Sequence, residues 1–76
     1  EYEVIEAEII ETSELINKEL KNSNLPDEIR IGAVLRENKV IIPRSNFVFQ
    51  KEDKVVFLAK KDSITVVENI FRISSI

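Results

Sequence analysis

The side chains best placed to do chemistry are two cations at the tip of a hairpin, Arg36 and Lys39, on either side of Glu37-Asn38. The stretch that carries them, Ile29 to Pro43, reads Ile-Arg-Ile-Gly-Ala-Val-Leu-Arg-Glu-Asn-Lys-Val-Ile-Ile-Pro: two apolar strands, a tight turn and a proline stop. A guanidinium at such a tip can grip a phosphate through two parallel hydrogen bonds. A two-fold pair of chains would present two such groups to one small dianion. Pairing Arg36 with Lys39 sets like charges side by side with Glu37 as the one carboxylate nearby, at a cost on the order of a few tenths of a kcal/mol unless an anion or solvent screens them. The competing explanation is plainer: hairpin tips are often charged for solubility and edge protection.

Other chemistry is sparsely provided for. The chain has no cysteine and no histidine, so it lacks thiolate ligands, disulfides, the usual general base and the commonest metal ligand. No Gly-rich phosphate loop is present either. Neither an enzyme nor a metal site is expected. Glu6 and Glu8 project from one face of a strand, and Asp27-Glu28 form a second acidic pair, but hard cations need about six oxygens gathered from several segments, so these read as solvated surface. Phe47 and Phe49 read as core rather than as a platform for a base. Lys60-Lys61 reads as a strand end.

The net charge is −3 and the longest basic run is Lys60-Lys61, which argues against nucleic acid as a partner. Apolar runs are far too short to cross a bilayer, so no membrane insertion is expected. With 43% apolar and 33% charged residues, the composition is that of an ordinary globular domain. Methionine is absent, so Glu1 is read as an internal position, and residues 1–76 as a single domain cut from a longer chain.

The elements that must position the hairpin follow from periodicity. Val4 to Ile10 alternates as a strand, with Ile5, Ala7 and Ile9 on one side. Thr12 or Ser13 can cap a short helix carrying Leu15, Ile16 and Leu20, which Asn17 could break into two turns. In the hairpin, Leu35 faces Val40 and Ala33 faces Ile42 on one side; Val34 faces Ile41 and Gly32 faces Pro43 on the other. A small domain normally needs one apolar face on a hairpin, and this one has two. Phe47 to Gln50 reads as a brief extended piece and Lys51-Glu52-Asp53 as a turn. Lys54 to Lys61 is a buried strand, and Asp62 or Ser63 caps a last helix with Ile64, Val67, Ile70 and Phe71 on one side. The expected fold is α+β: a small, mostly antiparallel sheet of four to five strands with two short helices on one face, in the order strand, helix, strands, helix.

Three stretches also carry a resemblance. Ile9-Ile10-Glu11-Thr12-Ser13-Glu14-Leu15-Ile16-Asn17-Lys18-Glu19-Leu20 resembles a capped "Ser-x-Leu-x-Gly-Lys-x-Leu" opening. Ile31-Gly32-Ala33-Val34-Leu35-Arg36 with Ile41-Ile42-Pro43-Arg44 resembles a central hairpin, and Asp53-Lys54-Val55-Val56-Phe57 a penultimate "Gly-Asp-x-Val-x-Val" strand. Together, from about residue 4 to about residue 71, they resemble the C-terminal regulatory domain of the Trk-type potassium-uptake protein TrkA, the RCK C-terminal domain. Asn17, Asn38 and Glu52 stand where that family usually has glycine. Asparagine tolerates positive φ at modest cost, whereas Glu52 implies a strained or rearranged turn.

The resemblance implies a cytoplasmic gating module lying against the inner face of the plasma membrane. Its companion N-terminal domain would bind NAD or an adenine nucleotide, and the full protein would act on a membrane potassium transporter subunit. These C-terminal domains pair as homodimers, and some relatives bind cyclic di-AMP between them. On that basis Arg36, Asn38, Ile41, Ile42 and Pro43 are candidate ligand contacts, and Gly32, Val34, Ile41 and Pro43 a candidate dimer face. Two alternatives stand beside it: a purely structural dimerisation module, or the regulatory domain of a potassium channel or cation/proton antiporter.

Overall fold

The computed structural model describes residues 1–71. Four strands form one antiparallel sheet: β1 (Tyr2–Glu8), β2 (Ile29–Arg36), β3 (Lys39–Ile41) and β4 (Lys54–Lys60). Their spatial order is β1-β4-β2-β3, so the last strand in sequence occupies the middle of the sheet. A 3-10 turn at Leu20–Asn22 follows β1, and a second at Lys61–Ser63 leads into the helix α1 (Ile64–Phe71). This is the α+β arrangement expected from the pattern.

The core lies on one side of the sheet. Ala7 of β1, Val55, Phe57 and Ala59 of β4, and Ile29 and Val34 of β2 point toward it. Ile9, Leu15 and Phe49 close over them from the connecting segments, and Val67 and Phe71 from α1. Phe57 and Phe71 stack with ring centroids 4.7 Å apart, tying the helix to the central strand.

Two departures from the expected pattern have clear causes. No α-helix follows β1, only the 3-10 turn at Leu20–Asn22. Ser13 spends its hydroxyl on a local turn, its Oγ accepting from the Leu15 N–H at 3.1 Å. Asn17 adopts φ 68°, which ends any helical run. Its N–H then donates to the Phe49 carbonyl, and the Phe49 N–H to the Lys18 carbonyl. The segment becomes a turn zipped to residues 45–49, with Glu19 and Val48 making one bridge. Of the expected final helix, Val67 and Phe71 are buried as anticipated. The Ile70 side chain lies outside the described residues.

The second departure is a bulge in β2. Ile31 pairs with Phe57 but Ala33 with Val56, leaving Gly32 without an opposite number. Side-chain parity therefore flips. Ile29 and Ile31 face the core before the bulge, and Val34 faces it afterwards with no exposure at all. Past the bulge the hairpin does carry two apolar faces, Val34 and Ile41 on the core side and Ala33, Leu35 and Val40 on the other.

Candidate functional site

The hairpin closes in the register read from the sequence, with Arg36 opposite Lys39, Leu35 opposite Val40 and Val34 opposite Ile41. Glu37 and Asn38 take φ 52° and 66°, both positive, as a type I′ turn requires. β3 stops at Ile41, so the further pairs Ala33 with Ile42 and Gly32 with Pro43 do not form.

Arg36 is not left alone with Lys39. Its Nε–H donates to Asp53 Oδ1 and its Nη2–H to Asp53 Oδ2, both at 2.7 Å, a bidentate pair across the fold. Nη2 also donates to the Val48 carbonyl at 2.9 Å. The guanidinium lies over the Phe47 ring, 4.9 Å from its centroid. Asp53 is buried, 1% exposed, and accepts a further bond at 2.9 Å from the Gln50 N–H. The hydrogen bonds to Asp53, and then its charge, push Arg36 above the ordinary arginine value against the opposing effect of burial. A raised value means that the pair's contribution is present below the usual arginine pKa and is lost only as pH climbs past the folded one. The pair therefore holds across the whole neutral and moderately alkaline range.

This corrects the picture of an unpaired cation. Glu37 is not the nearest carboxylate; Asp53 is, brought in from seventeen positions away by β4 pairing beside β2. No local signal in the sequence announces it. Arg36 is a clamp between the hairpin tip and the turn before β4, and Asp53 is the residue that sequence reasoning passed over. One nitrogen, Nη1, makes none of the hydrogen bonds among the described residues. A held guanidinium thus keeps donors to offer from a side chain still 25% exposed.

The turn that Asp53 closes is under strain. Glu52 sits at φ 74°, in the left-handed region that disfavours a residue with a Cβ, by about 1–2 kcal/mol. All three positions where the resembled family has glycine, Asn17, Asn38 and Glu52, adopt positive φ. Between this turn and the hairpin tip lies an open cleft of ≈ 390 Å³, lined by Arg36, Glu37, Gln50, Lys51, Glu52 and Asp53. Three carboxylates against two cations make it a poor cradle for a phosphate by itself.

The remaining candidates are dispersed. Asn38 is exposed at the tip, Ile42 is 70% exposed, and Ile41 and Pro43 are half-buried. None of these four lines the cleft that Arg36 lines. Of the candidate dimer face, Gly32 is exposed but Val34 is fully buried. Val34 cannot meet a partner without unfolding the core, because the bulge at Gly32 turns it inward. Apolar exposure on the hairpin belongs to Val40, at 67%, and Ile42. Phe47 and Phe49 pack edge to face at 5.4 Å, and Phe49 is wholly buried, as a core pair. Among the described residues no cluster of acids could hold a metal ion, and no helix is long and apolar enough to cross a membrane.

The comparisons with known proteins agree on one family. Residues 4–72 match the profile of the TrkA-C domain. The Trk system potassium uptake protein TrkA of Azorhizobium caulinodans is 43% identical over 72 residues, covering 95% of this chain and 16% of that protein. The TrkA homologue of Archaeoglobus fulgidus is 38% identical over 64 residues, covering 84% and 15%. This chain thus spans about one-sixth of the length of the curated relatives it matches. Among solved structures, the RCK_C domain dimer of S. agalactiae BusR in complex with c-di-AMP superposes with a TM-score of 0.78 at 24% identity, covering 91% of this chain and 95% of that one. An RCK domain solved with cda superposes at 0.74 with 17% identity, covering 90% and 96%. The structural likenesses fix the fold, and the sequence matches fix the kinship. The chain belongs to the TrkA-C domain family.

Proposed function

We propose that this chain is the ligand-sensing, pairing regulatory domain of the cytoplasmic subunit that gates a potassium-uptake system. The observation that carries the reading is the TrkA-C match along residues 4–72, shared with proteins named as Trk system potassium uptake proteins. The domain, residues 1–76, is one part of a longer protein. Its companion N-terminal region binds NAD or an adenine nucleotide, and the whole lies at the inner face of the membrane against a potassium transporter subunit. The domain itself is not an enzyme.

The ligand is cyclic di-AMP or a close chemical relative, held where two copies meet. Support comes from the BusR neighbour, a dimer in complex with c-di-AMP. Arg36 offers its remaining Nη1 donors to a phosphate, Asn38 its amide, and Ile41, Ile42 and Pro43 an apolar rest for the base. Ligand binding at that seam favours one relative angle of the pair, and the nucleotide-binding region follows by population shift. The acid excess in the Arg36 cleft favours a second reading, in which the domain pairs but binds no anion.

Calorimetric titration with cyclic di-AMP separates them. Saturable binding is expected, weakened about tenfold or more by Ile42→Asp. Ile42 is 70% exposed, so the variant keeps its fold. No heat of binding by the intact chain leaves the structural module as the function.

A further inference from the structure

The sheet has two edges, and they are built differently. β3 is three residues long, opens on Lys39 and is soon followed by Pro43, devices that keep a stray strand from adding on. β1 has none of them. It runs seven residues, Tyr2–Glu8, without proline, lysine or a bulge, and pairs with β4 alone. The register decides which of its backbone groups stay free. The Ile9 N–H donates to the Asp53 carbonyl and the Glu1 carbonyl accepts from the Lys61 N–H, so the odd-numbered residues bond to β4. Tyr2, Val4, Glu6 and Glu8 therefore turn their N–H and C=O groups outward, and among the described residues no other segment takes them up.

This open margin is also acidic. Residues 1–14 hold six glutamates and no lysine or arginine, whereas the whole chain is only −3, so the remainder is net positive by three. Glu6 and Glu8 lie with Tyr2 and Val4 on the face away from α1, and Glu3 with Ile5 and Ala7 on the other. The neighbouring cations are on β4 and just beyond it. Lys54 stands opposite Glu8, Lys60 opposite Tyr2 and Lys61 beside Glu1, with Arg30 one strand further away. Among the described residues none of them forms an ion pair with β1. Lys54 can offset Glu8, but not Glu6 and Glu3 as well.

We infer that the β1 edge takes up an extended, lysine-rich segment of another protein as a fifth strand. Addition to an exposed edge gains main-chain hydrogen bonds, and alternate side chains decide which strand is accepted. An antiparallel guest sets cations across from Glu8, Glu6 and Glu3, and apolar residues across from Ile5 and Val4. An acidic guest is repelled, and the β1 of another copy would bring the same glutamates. This edge lies at the far side of the sheet from the hairpin tip, so its guest and a ligand at Arg36 do not compete for one place.

The probe is a fluorescein-labelled peptide, Lys-Thr-Lys-Val-Val-Lys-Thr, whose first residue faces Glu8 and whose last faces Tyr2. Its anisotropy is followed on titration with the 76-residue chain. Binding with a Kd of about 100 µM or tighter is expected, weakening as salt is raised. N-methylation of the peptide where it faces Glu6 and Val4 keeps every charge, leaves the domain untouched and removes the donors aimed at β1. It should weaken binding about tenfold or more. Glu6 is exposed, so Glu6→Lys keeps the fold. That variant should also bind about tenfold more weakly, and a peptide with glutamate at the facing position should then prefer it to wild type. No binding up to about 1 mM overturns the proposal. Binding unchanged by N-methylation overturns the added strand, and binding unchanged by Glu6→Lys overturns the choice of guest.

Discussion

The two faces of the sheet are built from similar residues and serve opposite ends. On the covered face, Val34, Val55 and Phe57 are sealed under α1 and the connecting segments, and at its margin Asp53 is closed by Arg36 and Gln50. On the bare face Val4, Leu58 and Val40 meet solvent. Residue type does not distinguish them; valine and leucine occur on both sides. What distinguishes them is where the chain returns. Both long connections and the helix come back over the same side, so one face is a core and the other a surface. Apolar character in a strand therefore says that something will cover it, but not whether the cover lies in the same molecule.

The largest test of this contrast is Asp53→Ala. It leaves Arg36 without its carboxylate at the edge of the core and frees the turn at Glu52. A loss of about 3 kcal/mol is expected in urea unfolding. A loss under about 1 kcal/mol would mean that the clamp is incidental to the covered side. Next is Val34→Ala, which removes buried methyl groups and should cost about 2 kcal/mol by the same measurement. The smallest effect belongs to the bare face. Val4→Thr should change stability by less than about 0.5 kcal/mol. If Val4→Thr proves as costly as Val34→Ala, the bare face is already covered within the single chain and the contrast collapses.

Much of this arrangement was legible in the sequence. Hairpin register followed from Glu37-Asn38 and the flanking alternation, and β4 from its run of apolar residues between lysines. The positive φ at Asn17, Asn38 and Glu52 followed from a family habit of glycine. Other features were hidden for physical reasons. The segment after β1 carries a helix cap and apolar spacing, yet its backbone finds better partners at Phe47 and Phe49, a tertiary gain that local propensity does not register. The bulge left a trace, since Ile29, Ile31 and Val34 cannot share one face of a regular strand and a lone glycine stands between them. Missing that trace put Val34 on the wrong side. The Arg36–Asp53 pair left none, because it depends on which strands become neighbours.

The central place of β4 also governs how the chain comes together in time. Until residues beyond Asp53 are available, β1 has no partner, and β2 has only the short β3. The hairpin is the one local nucleus. Joining β2 to β4 closes a loop of roughly 17 residues, whereas joining β1 to β4 closes one of roughly 45, an additional entropic cost of about 0.9 kcal/mol. Assembly thus proceeds from the hairpin outward, with β1 docking last. During synthesis the first strand waits, unpaired, for the last.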